Sequence, residues 1–243
     1  MELARILADK PAVHAERVEI RYERARWQLL ETLRRQAAEV MEPLEKANIA
    51  TITHGSIARG DVTSGSDIDI FLPDPPSSFM TEAALGEAVT TTGRRLIVQA
   101  TPFYAVKGYI EVDRQLTVSF PLVKMRKVER DFYRFGGEIS LAKLKEDRRV
   151  AGVDKRLMLI EPTAQGHVES AVVGREGETA KTLRLPLETV LDRVHALLRR
   201  DKVGRTGVFI ERELNAGDTF EMVLKALADT KPEVRRRLRL YGK

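Results

Sequence analysis

HGSIARGDVTSGSDIDIFL, residues 54–72, decides how this chain is read. Ahead of it, Ile49-Ala50-Thr51-Ile52-Thr53 is rich in β-branched residues and alternates, so it reads as a strand ending at His54. Gly55 permits a sharp exit and a close approach of a ligand to the backbone. Ser56 can cap a short helix through Ile57-Ala58-Arg59, whose start offers N–H groups to a phosphate. Gly60 to Ser66 is turn-rich and reverses the chain. A second strand, Asp67-Ile68-Asp69-Ile70-Phe71, follows. Alternate side chains of a strand share a face, so Asp67 and Asp69 point one way while Ile68 and Ile70 enter the core. Two carboxylates held side by side repel unless a cation lies between them. Mg2+ (or Mn2+) suits the place, because it takes hard oxygen ligands and leaves positions for phosphates. Solvated acids and Gly-Ser turns are each common; the order strand, turn, helix, loop, strand is what makes the combination specific.

The run Gly55-Ser56, Arg59-Gly60 and Ser66-Asp67-Ile68-Asp69-Ile70 resembles the signature of the DNA polymerase β-like nucleotidyltransferase superfamily. It is most similar to the minimal nucleotidyltransferases and the archaeal CCA-adding enzymes, over Ile49 to about Val123. The resemblance implies an α/β core with a mixed sheet flanked by helices. It implies that Asp67 and Asp69 are the catalytic metal ligands, and that Gly55, Ser56, Arg59 and Ser66 bind the nucleotide. The implied activity moves a nucleoside monophosphate from an NTP to a hydroxyl, on an RNA end or a protein, and releases pyrophosphate.

Members of that superfamily carry a third carboxylate on a later strand. A hairpin is expected over Phe103 to Phe120, turning at Asp113-Arg114-Gln115. That register gathers Ile110, Val112, Leu116, Val118 and Phe120 on the apolar face and leaves Glu111, Thr117 and Ser119 on the other. Glu111 then faces the site and is the expected third catalytic metal ligand, with Asp113 as the competing choice. The strand Leu116 to Leu122, laid on the family pattern, carries Ser119 where an acid belongs. The competing functional reading follows: a fold relative that holds RNA or a protein partner and turns over slowly or not at all.

Composition bounds the rest. The 243 residues hold one large or two small domains, and 43% hydrophobic content is enough for a core. Without cysteine there is no disulfide framework and no thiolate metal site. No apolar run spans a bilayer and the first residues lack a signal-peptide pattern, so a cytoplasmic protein with no membrane partner is expected. A net charge of +5 favours a polyanionic partner such as RNA, although an ordinary basic enzyme has the same balance.

Along the chain, the three-or-four spacing of Val18, Tyr22, Ala25, Leu29, Leu33 and Ala37 predicts a long N-terminal helix from Val13 to about Lys46, with Arg34 and Arg35 on its wet faces. A helix is expected over Thr81 to Thr92 and a strand over Arg95 to Ala100. The basic, aromatic segment Val123 to Arg134 is read as an anchoring helix rather than a nucleic-acid surface. Gly136-Gly137 marks the expected boundary between a core over 1–135 and a mostly helical accessory region over 136–243. There Arg156 to Ile160 reads as a strand, and Pro186 to Arg200 and Thr219 to Asp229 as helices, the last with Asp218 and Glu221 as a capping box. Two GxxG segments, at Gly174 and Gly204, could clamp a nucleic-acid backbone.

Overall fold

The hairpin register expected from hydrophobic alternation is the register of the fold. In the computed structural model, which describes residues 17–88, 93–204 and 207–241, Ile110 lies opposite Val118 and Val112 N–H bonds to the Leu116 carbonyl. The elements begin with β1 (Val18–Arg21), α1 (Arg24–Lys46), β2 (Ile52–His54), α2 (Ser56–Arg59), β3 (Ile68–Phe71) and α3 (Ser78–Ala88). Next come β4 (Arg95–Gln99), β5 (Lys107–Glu111), β6 (Leu116–Pro121), α4 (Lys127–Gly136), β7 (Glu138–Ser140) and α5 (Leu141–Lys145). The chain continues through β8 (Gly152–Val153), β9 (Met158–Thr163), β10 (Gly166–Ala171), α6 (Glu176–Leu183) and α7 (Leu187–Val203). It closes with β11 (Ile210–Glu213), α8 (Phe220–Thr230) and α9 (Pro232–Tyr241).

Seven strands form one mixed sheet in the order β11-β4-β5-β6-β3-β2-β7, in which β3 and β6 run parallel and the other pairs antiparallel. Its apolar face carries Ile68, Ile70, Ile97, Ile110, Val118 and Phe120, all almost fully buried. Leu33, Ala37, Val40 and Leu44 of α1 close over this face, joined by Phe220 and Leu224 of α8 and Val234 of α9. The opposite face, with Asp69, Phe71, Thr117, Ser119, Tyr109 and Glu111 in register, is the side on which chemistry can occur.

The N-terminal helix begins later than its periodicity predicts. Val18–Arg21 is a strand that pairs antiparallel with β10, at the edge of a second sheet ordered β1-β10-β9-β8. The four residues alternate apolar and charged, a pattern that also fits the helical spacing, and the partner strand decided between them. The expected residues 13–16 of that helix, and 89–92 of the next, lie outside the described residues. The accessory region is helical as expected but also contains β8, β9 and β10. It is interleaved with the core: β7 and β11 are the two edges of the large sheet, and α8 and α9 complete its apolar packing.

One residue expected on a wet helix face is buried. Arg34 is 5% exposed. The capping box at α8 is also rearranged: Thr219 Oγ accepts from Met222 N–H, Asp218 binds Asn215, and the Glu221 carboxylate reaches across to the amide and hydroxyl of Ser78 at the start of α3. At the first GxxG segment, Gly174 turns the chain from β10 into α6 and its N–H is taken by the Glu176 carboxylate. Of the second, residues 205–206 lie outside the described residues.

Candidate active site

β2 delivers the chain to the site, and α2 is fixed there from behind. Gly55 adopts φ 74°, a conformation L side chains avoid, and its N–H bonds to the Gly137 carbonyl at 2.9 Å. A Cβ added there would meet no described atom within 4 Å, so the turn is open on its outer side. The last carbonyls of so short a helix need partners. Arg34 of α1 supplies them, donating from Nε and Nη2 to Ile57 O at 3.1 and 3.0 Å and from Nη2 to Ala58 O at 3.3 Å. Burial lowers the Arg34 pKa to about 10, which leaves it charged at neutral pH.

Arg59, expected at the nucleotide, is instead buried and spent on structure. Its Nε and Nη2 clasp both carboxylate oxygens of Asp61 at 3.0 and 2.9 Å, and Nη1 donates to the Gly136 carbonyl at 2.6 Å and the Val153 carbonyl at 3.4 Å. A guanidinium so engaged pins the turn to α4 and β8 and has no free edge for a phosphate.

Ser56 and Ser66 close the gap between the turn and the acidic strand. The Ser56 hydroxyl donates to Ser66 Oγ at 3.1 Å, and Ser66 Oγ accepts from Thr63 N–H at 2.9 Å. Ser66 directly precedes Asp67, and Thr53 Oγ bonds to the Asp69 carbonyl at 3.1 Å. Both aspartates stay open to solvent while Ile68 and Ile70 are buried between and beyond them. Crowding by the surrounding protein raises both carboxyl pKa values above their ordinary 3.8, with Asp69 adding repulsion at Asp67; Lys155 pulls both the other way. A divalent cation relieves that same repulsion, so the donor set fits one.

Glu111 lies in the same cross-strand row, since Asp69 pairs with Thr117 and Thr117 with Glu111. Two strand spacings put its backbone roughly 10 Å from that of Asp69. Its carboxylate is held by Arg94 at 2.8 Å, and that contact lowers its pKa, which makes it a weak proton acceptor. Asp113 closes the hairpin turn, accepting from the amides of Gln115 and Leu116. Among the described residues no three His, Cys, Asp or Glu side chains gather as a metal-binding group. On β6, Thr117 lies beside Asp69 and Ser119 lies beside Phe71.

Residues 34–136 match the family model described as nucleotidyltransferase domain. The match is consistent with the polymerase β-like nucleotidyltransferase superfamily. No curated protein and no solved structure matches the chain.

The matched segment begins inside α1, at the Arg34 that holds the α2 carbonyls, and ends with α4. Lys155, whose charge both aspartates feel, lies beyond it on the β8–β9 turn. That turn is firmly shaped: Asp154 Oδ1 accepts from the amides of Arg156 and Met158, and Leu157 is fully buried at φ 61°. The Arg59 bond to Val153 and the Val150 bond to Ala58 dock this hairpin against α2. Tyr109, opposite Ser119 on the site face, has its hydroxyl pKa pushed up to about 12 by burial and by Asp69. Neither residue carries a local sequence signal, because both reach the site through strand pairing alone. The arginines of α4 and its N-cap are committed within the chain, Arg130 to Glu138, Arg126 to Glu129 and Arg134 to Asp131, while Lys127 is exposed. No helix among the described residues is long and apolar enough to cross a membrane.

Proposed function

We propose that this chain transfers a nucleoside monophosphate from an NTP to an acceptor hydroxyl, with Asp67 and Asp69 holding Mg2+ or Mn2+ against a triphosphate that lies along Gly55 and Ser56. The observation that carries this reading is the Ser56–Ser66 hydrogen bond, which ties the open glycine turn to the strand bearing both aspartates. When bound, the divalent cation would neutralise the triphosphate and lower the pKa of the attacking hydroxyl. The chain's own part is positional. Gly55 leaves room for phosphate oxygens, the Ser66 hydroxyl, which accepts from Ser56 and Thr63, keeps its own O–H to donate, and Lys155, whose charge both aspartates feel, adds positive charge near the pair. In the transfer, the acceptor oxygen bonds to the α-phosphorus as the bond to the bridging oxygen breaks. Pyrophosphate leaves and the hydroxyl proton is released.

An RNA end suits the basic charge of the chain, and a protein hydroxyl suits the small core equally. Incubation with α-labelled NTPs, Mg2+ and bulk RNA is expected to place label on the RNA or on protein. Lys155→Met is expected to raise KM for the NTP about fivefold, roughly 1 kcal/mol for an exposed charge, with a smaller change in kcat. Unchanged KM would remove Lys155 from the site.

Thr117 beside Asp69, with Ser119 rather than an acid two residues further along β6, favours one further reading, a domain that binds NTP and a partner with little turnover. NTP binding that depends on Asp69 in the absence of any labelled acceptor would select it.

A further inference from the structure

Set back from the aspartates on the same sheet face, two cations share one aromatic ring. Lys107 opens β5 and points to the site side, as Tyr109 and Glu111 do. It lies four residues along the strand from Glu111, about 13 Å. Its Nζ sits 4.9 Å from the Tyr133 ring centre, 5.6 Å from Phe71 and 5.9 Å from Phe132, and donates to the Tyr133 hydroxyl at 2.7 Å. That uses one of its three N–H groups. Arg193 reaches over from α7, its guanidinium carbon 4.6 Å from the Phe132 ring centre, with Tyr104 beside it.

The two charges are held against their preference. Burial lowers the Lys107 pKa to about 8, Arg193 lowers it further by repulsion, and burial lowers the pKa of Arg193 too. Among the described residues neither cation has a carboxylate within ion-pair distance. Glu129, whose charge Lys107 feels, is already engaged by the Ala105 amide, Arg126 and Arg237. Asp192, the carboxylate felt by Arg193, lies exposed on α7. Arg193 Nε is buried with no hydrogen-bond partner. His54, against the Phe132 and Tyr133 rings, has its pKa lowered to about 3 by burial and is neutral, so it offers no counter-charge. Lys107, Phe132, Arg193 and Tyr104 are all partly open to solvent, so the cluster is reachable from solution.

We propose that Lys107 and Arg193 form a phosphate-binding site where β5, α4 and α7 meet. An oxyanion there would satisfy the orphaned Arg193 Nε, the remaining Lys107 donors and the unbalanced charge together. The cluster is on the sheet face that carries Asp69, whose charge reaches the Tyr133 hydroxyl that Lys107 bonds. The ligand is therefore a phosphate of the acceptor or of the nucleotide, an assignment of role that rests on the transfer reading above.

Isothermal titration of inorganic phosphate into the full chain, without divalent cation, tests the site. Saturable binding is expected for the wild type and for Asp69→Asn, which separates this site from the transfer reading. Lys107→Met and Arg193→Met, each checked for an intact thermal transition, are expected to weaken binding about tenfold or more. Either variant alone suffices if the other fails to fold. No saturable binding to the wild type, or unchanged affinity in a folded variant, overturns the proposal. Displacement of the phosphate by an RNA dinucleotide with a single phosphodiester assigns the site to the acceptor, and displacement by an NTP assigns it to the nucleotide. Displacement by neither contradicts a role in transfer.

Discussion

Asp69→Asn is expected to lower nucleotidyl transfer by at least about a thousandfold while raising thermal stability at neutral pH. On the proposed function the loss follows from removing a charged oxygen that would hold the cation against the triphosphate, worth several kcal/mol in the transition state. The gain follows from the direction of the pKa shift. Asp69 is raised above its ordinary 3.8 by crowding, so the folded protein binds the proton more tightly than the unfolded chain does. The ionised form therefore costs stability, and that cost enters as pH rises from the ordinary value through the raised one. Asparagine carries no such cost. The melting temperature of the variant should exceed that of the wild type at pH 7, and the difference should shrink below pH 3.8, where the wild-type carboxyl is protonated in both states. Paired melting curves at the two pH values with an activity assay check this. A variant that is both inactive and less stable at pH 7 would mean that Asp69 is a structural residue.

The second large effect concerns the helix that covers the site face. Glu129→Gln is expected to destabilise the protein by about 3–5 kcal/mol, because it breaks a buried ion pair from one side. Glu129 and Arg237 are 2% and 4% exposed. The carboxylate accepts from the Ala105 amide at 2.8 Å, the Arg126 amide at 2.6 Å and Arg237 Nη2 at 3.0 Å. One glutamate thus joins the loop before β5, the start of α4 and the C-terminal helix α9. A glutamine keeps the shape but turns an N–H2 toward donors and leaves Arg237 without that carboxylate. Urea unfolding gives the magnitude. The double change Glu129→Gln with Arg237→Met should cost less than the two single changes summed, since it removes the stranded charge. Because Tyr133 of α4 stacks on Phe71 at 3.8 Å, loosening this helix should also weaken whatever binds on the sheet face.

What could be read from the sequence was what strand alternation determines. Asp67 and Asp69 share a face because Ile68 and Ile70 must be buried, and the β5–β6 register follows from five apolar residues that allow one turn. Arg34 and Arg35 show the limit of that approach. They are adjacent, identical and both plausible surface residues, yet Arg34 is buried because α2 leaves carbonyls without partners at that point, a fact of tertiary packing. Arg59 misled in the opposite sense: a basic residue beside a phosphate-binding turn reads as a ligand, whereas Asp61, two residues on, claims it. Lys155 and Arg193 were invisible because nothing local distinguishes a functional lysine or arginine from a solvated one. The strand Val18–Arg21 was hidden for a related reason, as its hydrogen-bonding partner comes from β10 near the other end of the chain.

The most direct test of the central claim is a crystal of the full chain grown with Mn2+ and a non-hydrolysable NTP, with the metal located by its anomalous scattering. The account predicts manganese held between the carboxylates of Asp67 and Asp69, with the triphosphate running from it to Gly55 and Ser56. Manganese bound elsewhere, or a triphosphate that leaves the Gly55-Ser56 turn empty, would contradict it.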